Sequence, residues 1–127
     1  MPLELGIFLG AKTFGSKDHR RKVGIILDTD PHRYQKYISD IAGQDIRAHG
    51  GKPDEAIRQV REFLSTHCDA RVILPGGEKV VERYRKFRRN LPSTCRELHL
   101  DPAKLNYRDL GTLIVGWLDA NPLTIEA

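Results

Sequence analysis

The chain has 127 residues, 39% hydrophobic and 30% charged, and 21 Lys+Arg against 17 Asp+Glu give a formal net charge of +4. This is one ordinary globular domain with enough apolar residues for a core, and its mild positive charge admits an anionic ligand without demanding one. Two cysteines with no zinc-ligand spacing, no apolar run near the ~20 residues of a membrane span, and no basic-then-apolar leader pattern predict a reduced, cytoplasmic protein.

Pro2 to Phe14 reads as a helix, with Pro2 at the first position, where a missing N–H costs nothing. Leu3, Ile7, Ala11 and Phe14 form one stripe, and Leu5, Phe8 and Leu9 widen it. A helix apolar on most sides is expected to be buried on most sides. Gly6 and Gly10 share a face where another backbone can approach, and Gly15 is a C-terminal stop. The basic run Lys17 to Lys22 leads into Val23-Gly24-Ile25-Ile26-Leu27-Asp28, which reads as a strand buried on both faces.

Asp30 and Pro31 then cap and open a helix, with Tyr34, Ile38 and Ile41 on one side and Gly43 at its end. Asp45 to His49 is a second, weaker strand, and Gly50-Gly51 a turn. Pro53 opens an amphipathic helix to about Thr66, with Ala56, Ile57, Val60, Phe63 and Leu64 at core spacing. Arg71 to Leu74 reads as a third short strand or a loop, and Pro75-Gly76-Gly77 as a break.

Glu78 to Leu91 is helical, with Val80, Val81, Tyr84, Phe87 and Leu91 inward and a basic outer face from Lys79 to Arg89. Pro92 is expected to start a separate short helix through about Leu98. Asn106 to Asp119 is the last helix, with Leu110, Leu113, Ile114, Trp117 and Leu118 on one face.

A parallel strand of the fully buried type needs neighbours on both edges and helices on both faces. One strong strand and one or two weak ones do not supply them. The expected fold is therefore a partial Rossmann-like, flavodoxin-like parallel sheet of two or three strands whose first strands are missing. Residues 1–74 form the C-terminal part of the α/β domain, and residues 75–127 a helical extension packed on it. The alternative is a small helical domain with a two-stranded sheet.

Pro2-Leu3-Glu4-Leu5-Gly6 and the stretch Tyr34-Gln35-Lys36-Tyr37-Ile38-Ser39-Asp40-Ile41-Ala42-Gly43-Gln44-Asp45-Ile46 carry a resemblance. They are similar to a bacterial nucleotide-binding family with a TIR-like, nucleoside 2-deoxyribosyltransferase-like domain. In that family a Glu-Leu-Gly helix is followed by a basic loop, a strand ending in Leu-Asp, and a Ser-Asp-Ile-Ala-Gly-Gln-Asp-Ile segment. The likeness runs through most of the chain and is densest in residues 2–49. It implies that the relatives carry upstream strands and a phosphate-side loop that this chain lacks. It also implies chemistry at the N-glycosidic bond of nucleosides or NAD, with Glu4 at the position of the signature carboxylate. The Asp-x-Gly-Thr element of the deoxyribosyltransferase signature is absent.

Cleaving an N-glycosidic bond builds positive charge on the sugar, which a fixed carboxylate stabilises or attacks. Glu4, in a first turn, would stay ionised beside the helix N-terminus; the alternative is a first-turn acid with no further role. Asp28 ends a strand, where carboxylates meet ribose hydroxyls, or is a turn residue. Asp40, Asp45 and His49 would join it at the same rim as nucleotide-binding residues, or act as surface and turn residues; they lack the spacing of a metal site. Ser39, Cys68 and Cys95 have no base partner that would make them nucleophiles.

The expected ligand is NAD or another nucleotide, with no permanently bound cofactor. As a hydrolase, this chain alone is expected to be inactive. A non-catalytic signalling or defence module that self-associates through an exposed sheet edge is the rival reading. Nucleic-acid binding by the helix at 78–91 is a third, disfavoured because a solvated basic face explains the same residues.

Overall fold

A computed structural model describes residues 2–31 and 46–123. The protein is mixed α/β and mostly helical. Its elements are α1 (Pro2–Phe14), α2 (Lys17–Arg20), β1 (Ile26–Asp28), β2 (Ile46–Ala48), α3 (Pro53–His67), α4 (Gly77–Glu97) and α5 (Tyr107–Ala120). They fall into two compact units, Met1–Gly77 and Glu78–Ala127.

In the first unit β1 and β2 pair in parallel, with Ile26 opposite Ile46, Leu27 opposite Arg47 and Asp28 opposite Ala48. The strand expected over residues 23–28 is only three residues long. All six paired residues are half-buried, and Val23 is exposed. Burial on both faces is therefore not observed. Faces are covered by helices, and among the described residues no helix packs extensively on β1, which also has only one strand beside it.

The opening helix forms where expected. It ends at Gly15, whose N–H donates to the Ala11 carbonyl at 2.9 Å. A Cβ at Gly15 would collide with that carbonyl and with the His19 ring, so only glycine fits this corner. The basic run beyond it winds into the single turn of α2. Phe8 lies against Gly24, where a Cβ would sit 3.0 Å from the ring. The expected burial of α1 on most sides is overturned. Leu3, Ile7 and Phe14 are 73%, 65% and 88% exposed, and Leu5, Phe8 and Leu9 are the half-buried ones.

Pro53 starts α3, and Asp54 and Glu55 occupy its first turn, where the helix dipole favours acids. Phe63 is the buried residue of its apolar stripe, and its ring stacks at 4.5 Å from His67. Arg47 of β2 donates to Gln59 Oε1 at 3.4 Å; Gln59 in turn donates to Glu55 at 2.8 Å, and Glu55 pairs with Arg58 at 3.4 Å. Residues 71–74 form a loop, not a strand. Arg61 holds it by donating to the Pro75 and Leu74 carbonyls at 2.8 and 3.2 Å. The helix expected from Pro31 to Gly43 lies almost wholly outside the described residues.

The second unit has a better-formed core. Phe87, Leu91 and Cys95 of α4 meet Leu113 of α5, with Leu100, Leu105, Leu110 and Trp117 around them. Phe87 meets Trp117 edge-on at 5.8 Å. Arg83 stacks over the Trp117 ring at 5.2 Å and donates to the Asn121 carbonyl at 2.6 Å, so one residue of the expected basic face is committed to structure. Pro92 does not start a new helix but lies inside α4. A proline there removes one backbone bond and costs about 3 kcal/mol. Burial of Leu91 and Cys95 on either side of it opposes that cost, because a break would misalign the stripe that both belong to. Asn106 caps α5 by accepting from the Asp109 N–H at 2.8 Å.

Leu91 is 5% exposed and Tyr107 is 94% exposed. Leu91→Ala should therefore lower the stability of the second unit by about 2–5 kcal/mol, and Tyr107→Ala should change it by less than about 0.5 kcal/mol. Urea unfolding followed by the fluorescence of Trp117, the single tryptophan, reads this core directly; equal midpoints for the two variants would contradict the packing.

Candidate functional site: the carboxyl edge of the strand pair

Parallel pairing brings the C-terminal ends of β1 and β2 to the same edge. The His49 N–H donates to the Asp28 carbonyl and the Gly50 N–H to the Thr29 carbonyl, both at 2.9 Å, so the ladder runs on past the strands. Asp28 also accepts from the Thr29 N–H through Oδ1 at 2.7 Å, a local bond that fixes its carboxylate at the strand exit. Thr29 is half-buried, and its methyl group lies 4.0 Å from where a Cβ on Gly51 would be.

Gly50 and Gly51 have φ of +58° and +70°, the left-handed region that side chains disfavour. Two such residues in succession turn the chain from β2 towards α3 within a few residues. The Lys52 N–H donates to the His49 carbonyl at 2.9 Å and closes the turn. His49 is half-buried, and its Nδ1 is shielded from solvent without a hydrogen-bond partner among the described residues. A polar atom in that state costs about 1–3 kcal/mol.

Of the five residues singled out by sequence, two meet here: Asp28 and His49. Asp40 and Asp45 lie outside the described residues. Glu4 is in the first turn of α1, exposed to solvent. A hydrogen bond from the α-amino group, helped by one from the helix backbone and by the amine's charge, holds its carboxyl below the ordinary glutamate value. It is thus an ionised acid across the neutral range.

No protein-family model, curated protein or solved structure matches this chain. What the edge can do follows from its own groups. It offers a fixed carboxylate, an imidazole, a threonine, and glycine backbone without side-chain cover. These suit a ligand with several hydroxyls. The first turn of α3 is less suited to a phosphate, because Asp54 and Glu55 occupy it. Among the described residues no three His, Cys, Asp or Glu side chains converge as metal ligands would.

Thr29 joins the edge as the residue directly after Asp28, at the strand exit where a ligand of a parallel sheet is expected. The Asp-Thr-Asp-Pro run after an apolar strand marks a turn, but only the parallel register shows that it faces Gly50 and Gly51. Because Gly50 has open space around its Cβ position, the cost of Gly50→Ala is backbone strain alone, about 1 kcal/mol. Amide exchange at His49 and Gly50 should then quicken roughly fivefold. Gly50→Asn, which tolerates the left-handed region better, should quicken it less.

Proposed function

We propose that the first unit is a nucleotide-binding domain of TIR-like or deoxyribosyltransferase-like, Rossmann-like ancestry, with its ligand at the carboxyl edge of β1 and β2. The observation that carries this reading is the meeting of Asp28 and His49 at the ends of two parallel strands, beside a glycine turn that leads to a helix. Ligands of open parallel sheets lie at that edge. Asp28 accepts from ribose hydroxyls, and a hydroxyl donating to, or accepting from, His49 Nδ1 relieves the cost of its lack of a partner. Asp40 and Asp45 are assigned to the same rim by sequence alone.

N-glycosidic cleavage of NAD or a nucleoside is the activity proposed for a complete form of the domain. Glu4 would stabilise the cationic sugar, and its depressed pKa keeps it in the charged form that this role needs. The exposed apolar face of α1 and the one strand that lies beside β1 among the described residues support the reading that the sheet belongs to a larger assembly. The same exposed face favours a second reading, a non-catalytic interaction module in signalling or defence. No helix of the described residues is long and apolar enough to cross a membrane.

Titration with NAD by calorimetry tests the binding claim. Asp28→Asn should weaken binding about tenfold or more, the cost of losing a charge-assisted hydrogen bond. A wild-type protein that ignores NAD, adenosine and AMP at millimolar concentration would leave the interaction reading in its place. In any form of the domain that releases nicotinamide from NAD, Glu4→Gln should abolish release while binding persists; undiminished turnover would remove Glu4 from the chemistry.

A further inference from the structure

The outer face of α5 has a symmetry that its own fold does not use. Arg108, Thr112, Val115 and Asp119 are spaced 4-3-4, which places them along one seam of the helix. Gly111 and Gly116 flank the seam, one on each side, and nothing lies within 4 Å of the Cβ positions of either. These six residues line one shallow depression. Read from either end, the order is the same in kind: a charge, a glycine next to a small β-branched residue, a small β-branched residue next to a glycine, and the opposite charge. The centre lies between Leu113 and Ile114, so that 108 mirrors 119, 111 mirrors 116 and 112 mirrors 115.

The charges at the two ends are on the wrong ends for the helix itself. Arg108 lies in the first turn, where the dipole favours acids, and Asp119 in the last turn, where it favours bases. Among the described residues neither has an ion-pair partner, and both are exposed. Val115 at the centre is 59% exposed. The Thr112 hydroxyl donates to the Arg108 carbonyl at 3.0 Å, so it needs no outside partner and presents its methyl group.

We infer that this face is an isologous interface, and that its occupant is α5 of a second copy of the chain in antiparallel orientation. In that arrangement Arg108 meets the partner's Asp119, and Asp119 meets the partner's Arg108. Each charge also comes beside the end of the neighbouring helix whose dipole favours it. Thr112 packs on the partner's Val115, and the glycines let the two backbones close in. A parallel pair is excluded by the same charges, because it would set arginine beside arginine and aspartate beside aspartate. The heptad spacing fits a crossing near +20°. The two charged ends stand about 16 Å apart along the axis, at 1.5 Å per residue, so the seam is short and the dimer is weak, with Kd on the order of micromolar.

Analytical ultracentrifugation of the full chain from about 1 to 200 µM tests this. The wild type should pass from monomer to dimer. Arg108→Asp and Asp119→Arg each place like charges at both ends, and each should weaken self-association about tenfold or more. The double variant Arg108→Asp/Asp119→Arg should recover it. An equimolar mixture of the two single variants should form a heterodimer, because every charge then meets its opposite. Both single changes agree with the helix dipole, so loss of the dimer is not loss of the helix, and Trp117 fluorescence confirms that the core stays intact. A wild type monomeric throughout the range, or a dimer indifferent to both reversals, or single variants that fail to pair when mixed, would overturn the inference.

Discussion

The parallel register of β1 with β2 is the constraint on which the first unit depends. An antiparallel pair would send the two chain ends to opposite edges, and Asp28 would face the entry of β2. The parallel pair sends both exits to one edge. It requires a connection of a dozen or more residues, and residues 29 to 45 supply that length. Once the register is set, backbone bonds tie Asp28 to His49 and Thr29 to Gly50, and the Thr29 N–H holds the Asp28 carboxylate. Their side chains are then placed by the ladder and not by their own packing. That is why a polar edge can exist here without a deep core beneath it.

That core is thin. Phe63, still 9% exposed, is the buried apolar residue described in the first unit, and the paired strand residues are half-buried. Much of what ties β2 to α3 is polar: Arg47, Gln59, Glu55 and Arg58 form a chain of partly buried hydrogen bonds and one ion pair. Partly exposed links of this kind contribute little individually, less than a buried leucine does. The second unit is built the other way, from Phe87, Leu91, Cys95 and Leu113 closing on one another. The two units should therefore differ in stability, with the strand edge on the weaker one. Binding sites are commonly drawn from the less stable part of a protein, since they must adjust to a ligand.

Amphipathic helices were the legible part of the sequence. α3 and α4 each carry a clear apolar stripe against a charged background, so both their existence and their inward faces could be read. α1 was legible as a helix but not in its orientation: with apolar residues all around, periodicity gives no phase, and Leu3, Ile7 and Phe14 turned outward. The strand at Ile26–Asp28 was legible in place but not in burial, because burial depends on neighbours that a local pattern does not contain. Pro92 inside α4 is illegible for a similar reason. Its local preference is to break a helix, and the tertiary pull of Leu91 and Cys95 overrides it. At the candidate site, Asp28 and His49 could be found as strand ends, whereas what Thr29 faces needed the register. Glu4 came from resemblance, and the fold adds only its ionised state.

α1 and α5 both leave apolar surface uncovered, yet they do not say equally much. The face of α1 offers Leu3, Ile7 and Phe14 with Gly6 and Gly10 between them, and no charge that would fix the direction or identity of a partner. Apolar contact alone is satisfied by many shapes. The face of α5 ends in two opposite charges, each set against its own helix dipole, and that selects both an orientation and a self-complementary occupant. The seam belongs to the second unit and the strand edge to the first. Self-association and ligand binding can therefore be removed one at a time: a reversal at Arg108 or Asp119 leaves the β1–β2 edge untouched, and a change at Asp28 leaves the α5 seam untouched.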